Sequence, residues 1–357
     1  LSVTGINTGI NDVALTGETI TLNDDITTAA DSDDTGASGT TGAVTITGAA
    51  LLETVADIAI DTSSNNGAVS FTSTVNSDAN KTLTITSGSG AVDFAGVIGG
   101  VAGDHLTGLS INAQGSSTGT GTIDILQIGD TTGPEHGVVG VVTIGNTATA
   151  DVTFDGAEYL VDGALTVTST TGEKILFTGA AATTVQTAQD SIAFNTGTIQ
   201  LAASTPLTIN SAGGAIAIKS VMSAGTTADN DVTINANSDG LAGGDNDGDN
   251  TITSETITIG AVGAVSDIGK LKLDAADGVT LTGNITLADA AAADLDVNSK
   301  AFISGDVTIS TDNTTGGGAV DGSIDFASTI DGVSDGTDDN LILLTGCLLY
   351  TSDAADE

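Results

Sequence analysis

The chain has no arginine, one cysteine, one methionine, two prolines and two histidines in 357 residues, and tryptophan is missing altogether. Each scarcity removes a class of function. Without arginine there is no planar fork for bidentate capture of phosphate or carboxylate. Six lysines face 46 carboxylates, a formal net charge of −40. Such a surface cannot neutralise a phosphate backbone, which excludes nucleic-acid binding through a basic footprint. His105 and His136 are too few for a histidine-based metal centre or triad. Collagen is excluded as well, because the 48 glycines follow no three-residue period. The longest apolar run, around Val138-Val139-Gly140-Val141-Val142, is far short of the ~20 residues of a spanning helix. Gly316-Gly317-Gly318 lacks the Lys-Ser/Thr of a phosphate loop and reads as a turn.

What is present argues against a disordered acidic tract. Apolar residues make up 39% of the chain, charged residues only 15%, and mean hydropathy is +0.24. The remainder is Gly, Thr, Ser, Asn and Ala, the composition of many short strands joined by turns, so the fold class is all-β. Apolar-polar-apolar triplets recur throughout: Val92-Asp93-Phe94, Ile123-Asp124-Ile125, Val152-Thr153-Phe154, Leu165-Thr166-Val167, Ile257-Thr258-Ile259 and Leu295-Asp296-Val297. A period of two sends one set of side chains inward and the Thr, Asp or Lys between them outward. Six of the seven phenylalanines (71, 94, 154, 177, 194, 326) follow a Val or Ile by two residues. They therefore belong to a core rather than to an aromatic ligand stripe. Tyr159 is then the one candidate for an outward aromatic.

Internal repetition is the strongest signal. Gly67-Ala68-Val69-Ser70-Phe71-Thr72-Ser73-Thr74-Val75-Asn76 matches Gly322-Ser323-Ile324-Asp325-Phe326-Ala327-Ser328-Thr329-Ile330-Asp331. A third copy runs from Gly214-Ala215-Ile216-Ala217-Ile218 to Val232-Thr233-Ile234. The copies are irregularly spaced. A string of β-sandwiches would bring Trp or Tyr anchors and Pro-marked linkers, which are missing. A parallel β-helix, or β-solenoid, needs only that each coil bury its inner face on its neighbours. The expected architecture is one elongated rod with the right-handed sense that parallel connections favour. At ~20–25 residues per coil, residues 1–346 would make roughly 15 coils and about 70 Å. Outward Thr and Asn would form ladders, and Asp at the turns would keep the rod soluble.

The units Gly-x-Val/Ile-x-Phe-x-Ser-Thr-Val/Ile and Leu83-Thr84-Ile85-Thr86-Ser87-Gly88-Ser89-Gly90 resemble the β-strand repeats of very large bacterial surface proteins. These are the filamentous-haemagglutinin-like and autotransporter-type adhesins. The resemblance covers most of residues 40–346 and implies an exported rod at the cell surface, or shed from it. Such a rod acts as a shaft or a multivalent contact surface toward host or environmental surfaces, glycans or other cells. Its motifs specify a structural repeat and carry no functional residue. The end of the chain has a different likeness. Cys347-Leu348-Leu349-Tyr350-Thr351-Ser352-Asp353-Ala354-Ala355-Asp356-Glu357 resembles the in-frame translation of a transposase sequencing adapter. On that reading 347–357 is a non-native tail, and 1–346 is an irregular solenoid region truncated at both ends. It then contains no cysteine, hence no disulfide or thiol chemistry, and carries a net charge of −37.

Two kinds of site are candidates. In Asp239-Gly240-Leu241-Ala242-Gly243-Gly244-Asp245-Asn246-Asp247-Gly248-Asp249-Asn250, the alternate carboxylates Asp245, Asp247 and Asp249 can converge on one Ca2+. The loop satisfies neither the EF-hand nor the glycine-rich nonapeptide pattern, and a solvated acidic loop is the competing reading. Asp335, Asp338 and Asp339 form a looser cluster. Asp93, Asp124 and Asp325 occupy outward strand positions, where carboxylates of adjacent coils could pair as they do in carbohydrate-active solenoids. The missing bases and outward aromatics argue against an enzyme. No cofactor is required beyond a possible calcium ion. The expectation is a non-enzymatic structural and adhesive segment; its alternatives are a calcium-stabilised surface-layer or biofilm-matrix protein, and a carbohydrate-active lyase or hydrolase.

Overall fold

Three ladders of parallel strands, stacked along one axis, emerge from these alternating triplets in a computed structural model. The structure describes residues 1–9, 11–28, 42–53, 56–78, 80–101, 103–113, 121–130, 137–179, 182–202, 205–223, 230–237, 254–264, 267–288, 293–311, 322–333 and 338–345. Among these, every element is a strand, all 33 join one sheet, and every named strand pairing is parallel. The expected parallel β-solenoid is what the chain forms.

One circuit shows the plan. Val69–Phe71 lies on a first face, Val75–Ser77 on a second and Thr82–Thr86 on a third. In the next circuit Val92–Ile98 bends to serve the first and second faces, and Gly108–Asn112 returns to the third. Val13–Leu22, Val44–Leu52 and Ile123–Ile128 turn the same corner without a break. Ile216–Ser223 and Thr256–Val262 instead bend between the third face and the first.

Register fixes the core. On the first face, Val13, Val44, Val69, Val92, Ile123, Val152, Ile175, Ile199, Val221, Val262, Ile285, Ile309 and Leu343 form one continuous column. These are thirteen rungs, about 60 Å at the spacing of paired strands. The fifteen coils expected from sequence are too many because coil length is uneven. Register partners lie 22 residues apart at Ile199–Val221 and 41 apart at Val221–Val262. Away from the ends, the inward aliphatics are at most a few per cent exposed. Each such side chain contributes roughly 1.5–3 kcal/mol through burial.

The phenylalanines follow the same rule. Phe71 and Phe94 stack with ring centroids 4.8 Å apart and planes 4° apart, and Phe154 and Phe177 with 5.0 Å and 17°. A ring on every rung of a parallel ladder is held at the strand spacing, which is also a good stacking distance. Phe71, Phe94, Phe154, Phe177 and Phe194 are fully buried, and Phe326 is half-buried on the last rung of the second face.

Polar groups are absorbed in two ways. At the corners, buried Ser and Thr hydroxyls donate to carbonyls three or five residues on: Thr62 to Gly67 (2.5 Å), Ser87 to Gly90 (2.7 Å) and Thr187 to Asp190 (2.6 Å). These bonds close the turn and satisfy a hydroxyl that water cannot reach. Just outside the strands, Asp side chains extend the ladder. Asp57 accepts the amide of Thr82 (2.9 Å), Asp151 that of Lys174 (2.8 Å), Asp231 that of Lys270 (2.9 Å) and Asp294 that of Ser323 (2.8 Å). Each Asp immediately precedes a strand, and each donor stands just before the residue of the next coil that pairs with that strand's first residue. Many turn aspartates therefore tie coil to coil, beyond coating the rod.

The three sequence copies occupy different faces. Val69–Phe71 begins its copy on the first face, Ile216–Ile218 on the third and Ile324–Phe326 on the second. The repeat is thus a strand-corner-strand unit and has no fixed phase within the coil.

Two predictions follow from coil-to-coil contact. Gly48 has φ +128°, and a Cβ there would sit 1.8 Å from the Gly17 carbonyl oxygen of the preceding coil. Gly48→Ala should cost at least about 2 kcal/mol in urea denaturation. Gly305→Ala, at φ +79° with open space around it, should cost only about 1 kcal/mol. Replacing Asp57, Asp151 and Asp231 together by Ala should cost about 0.5–1.5 kcal/mol per site, while Asn at the same positions keeps most of the stability.

Candidate functional site

The outer surface repeats short polar side chains. Thr84, Ser110, Thr143 and Thr166 form one column on the third face, and Thr184, Thr208 and Thr233 another on the second. Within this coat one place concentrates titratable groups. On the first face the outward column runs Ser70, Asp93, Asp124, Thr153, Leu176. Two like carboxyl groups stand directly opposite on neighbouring coils, an arrangement that costs energy when both are charged. The sequence-derived Asp93–Asp124 pair is therefore formed.

A third carboxyl, Asp155, completes the group just after the strand Val152–Phe154. Asp124 is half-buried, and its pKa is pushed up to about 6. Burial is the main cause, followed by the charge of Asp155, a hydrogen bond to that carboxyl and the charge of Asp93. Hydroxyl donors flank the group. Ser70 Oγ donates to Asp93 (3.2 Å), and Thr178 Oγ1 donates to Asp155. Beside Asp93 and Asp155, Asp124 keeps its proton up to about pH 6.

Tyr159 lies beneath this cluster. It is fully buried in the second-face column between Ile128 and Val185, which corrects its reading as an outward aromatic. The ring packs edge-on to Phe154 with centroids 4.6 Å apart. Its hydroxyl accepts the Gly156 amide (2.8 Å) and reaches the carbonyls of Ile125 and Leu126, both at 3.0 Å. A buried ring with its one polar atom fully occupied fixes the corner that carries Asp124 and Asp155. Burial also pushes the phenol far above its ordinary pKa.

The other candidates separate. Asp325 is exposed and opposite Asp296, which pairs with Lys270 (2.7 Å), so a cation already compensates the carboxylates there. Lys270 has its pKa raised chiefly by that bond to Asp296. Asp338 is exposed, and Asp339 accepts the amide of Gly305 (2.7 Å), a structural role. Asp245, Asp247 and Asp249 lie outside the described residues, as do His136 and Asp335. His105 is half-buried in the segment before Gly108–Asn112. Among the described residues no group of three His, Cys, Asp or Glu side chains is placed to hold a metal ion, and no helix is long and apolar enough to cross a membrane.

Sequence reasoning missed Phe302, the outward phenylalanine. Lys300 Nζ lies 4.6 Å from its ring centroid and 2.8 Å from Asp331. The signal was available, because Phe302 sits between Ala301 and Ile303, both inward.

The unfolded chain releases the Asp124 proton near pH 4, whereas the folded chain holds it to about 6. Between those values the native state binds more protons, so this group's contribution to stability falls as pH rises. Asp124→Asn should raise the melting temperature at pH 7. The gain should shrink steadily as pH is lowered from about 6 to 4, as read by differential scanning fluorimetry across that range.

No family model, curated protein or solved structure matches this chain.

Proposed function

We propose that this chain is a non-enzymatic structural and adhesive segment of an exported bacterial surface protein, serving as a rod with a multivalent contact surface. The observation that supports this reading most is the repetition of short hydroxyl side chains along one face, as in Thr84–Ser110–Thr143–Thr166. Identical weak contacts at every rung add up only against a partner that also repeats: a glycan, a cell surface or an environmental surface. The acidic coat suits an extracellular setting, where salt and divalent cations screen its self-repulsion. Calcium enters this reading as a counter-ion, and as a ligand only if the loop around Asp245, Asp247 and Asp249 takes it.

A second reading, a carbohydrate-active solenoid, is favoured by one observation: the proton held among Asp93, Asp124 and Asp155 on one outer face. Its weakness is the compensated or structural role of the other carboxylates and the distance in sequence of Phe302 from that cluster.

Beads bearing the full chain at high density should be retained on polysaccharide-coated surfaces, and sparsely coated beads should not. Incubation with acidic and neutral polysaccharides should release no reducing ends or unsaturated products; release abolished by Asp124→Asn would replace the adhesive reading with the enzymatic one. Raising NaCl from 0.05 to 0.5 M should raise the melting temperature. At equal ionic strength Mg2+ and Ca2+ should act alike, whereas a calcium-specific increment lost on EDTA addition would favour the calcium-stabilised alternative.

A further inference from the structure

We infer, resting on the adhesive reading of the rod, that Phe302 with Lys300 and Asp331 beside it forms a subsite for a neutral pyranose of a polysaccharide laid along the third face. The outward column there runs Thr258, Thr280, Phe302, Asp331 on four successive coils. Phe302 stands between Ala301 and Ile303, both buried, so its ring belongs to the solvent side. The other six phenylalanines are buried in the core or packed against it. An aromatic ring turned to water forgoes the burial that all the others gain, and a use outside the core is what sets this one apart.

Packing positions the ring. Gly278 in the preceding coil has φ +123°, and a Cβ there would come within 2.9 Å of Phe302 Cε2. The ring therefore leans over bare backbone, in a place that only glycine leaves open. Covering a strand glycine with an aromatic is itself stabilising. That role needs an apolar side chain of the right size but not a flat one, so the two uses of the ring can be told apart. Phe302 remains half-buried, with part of the ring open to solvent.

The polar neighbours supply what a sugar needs. Lys300 Nζ lies 4.6 Å from the ring centroid and 2.8 Å from Asp331. A ring face attracts positive charge, and the C–H bonds on one side of a pyranose carry the same sign as an ammonium while adding apolar contact. Both charged side chains are exposed, 43% for Lys300 and 52% for Asp331, and a surface pair of this kind is loosely held. The ammonium can move off the ring and stay on Asp331. Together the pair then offers donors and acceptors to neighbouring hydroxyls, a small polar set that fixes the orientation of a ligand resting on an apolar surface. Thr280 and Thr258, one and two rungs of about 5 Å away, would lie under the sugars that follow along the axis.

Charge selects the class of ligand. The cation position at the ring is already filled by Lys300, so a cationic ligand gains nothing there. Lys300 and Asp331 cancel each other, and the net charge of −40 repels polyanions. A neutral polysaccharide is the class that meets neither obstacle.

The test is saturation-transfer NMR and isothermal titration on the full chain with neutral hexasaccharides (β-1,4-linked glucose, mannose and N-acetylglucosamine) and with polygalacturonate. At least one neutral hexasaccharide should bind, with saturation strongest on the C–H protons of one sugar face, and polygalacturonate should not. Phe302→Ala and Phe302→Leu should weaken binding about tenfold, while Phe302→Tyr keeps it. Phe302→Leu still covers Gly278 and should keep the melting temperature of the wild type, which separates loss of the flat ring from loss of the fold. Binding unchanged in Phe302→Leu, or polygalacturonate bound more tightly than every neutral hexasaccharide, would overturn the subsite. So would a soluble chain that binds none of them while densely coated beads are still retained on polysaccharide, an outcome that leaves the adhesive reading standing. Failure of both the soluble chain and the beads would overturn the two together.

Discussion

Everything in this molecule depends on the parallel pairing of one rung with the next. In the narrow interior an inward side chain meets its own register partner above and below, and side chains of the other faces across the coil, as Phe154 meets Tyr159. The core is therefore a set of columns, and the chain must keep returning to them. That single requirement explains the alternating triplets, the aliphatic content and the stacked phenylalanines. It also explains why loops of very different length are tolerated. Val221 and Val262 remain register partners although 41 residues separate them in sequence.

Pairing along the axis also accounts for much of the charge. An aspartate at the end of a strand offers a carboxylate to an amide that the parallel ladder would otherwise leave without a protein acceptor. The chain thus accumulates acid for a backbone reason, one coil at a time, and the net charge of −40 is partly a by-product of coil-to-coil bonding. Where such residues crowd on a strand itself, as at Asp93 and Asp124, the cost appears as a proton retained to unusually high pH.

The fold was legible because strand alternation is a local consequence of facing a narrow core. Val152-Thr153-Phe154 reads as a strand with or without its neighbours. The face each strand occupies was not legible, since all three faces present the same inward environment; the matching units at Gly67, Gly214 and Gly322 accordingly lie on three different sides. The Asp93–Asp124 pair could be guessed from two triplets with a central acid, but Asp155 and Tyr159 could not. Asp155 joins the pair only through the turn after Phe154, and Tyr159 looks solvent-seeking until the corner carbonyls of Ile125 and Leu126 supply its partners. The ladder-extending aspartates were readable in principle. Asp151, Asp231 and Asp294 each stand immediately before an apolar-polar-apolar triplet, and Asp57 before Ile58-Ala59-Ile60.

The direction of the hydrogen bonds has a mechanical consequence. They run along the rod, so tension applied between its ends is carried by rungs in series and falls on non-covalent bonds alone. Freeing a coil such as that between Val69 and Val92 gives up only about 5 Å of rod but releases roughly 75 Å of chain at full extension. Under load the molecule should therefore yield coil by coil as a long, stepwise tether, absorbing force that a stiff shaft would pass on to whatever it holds.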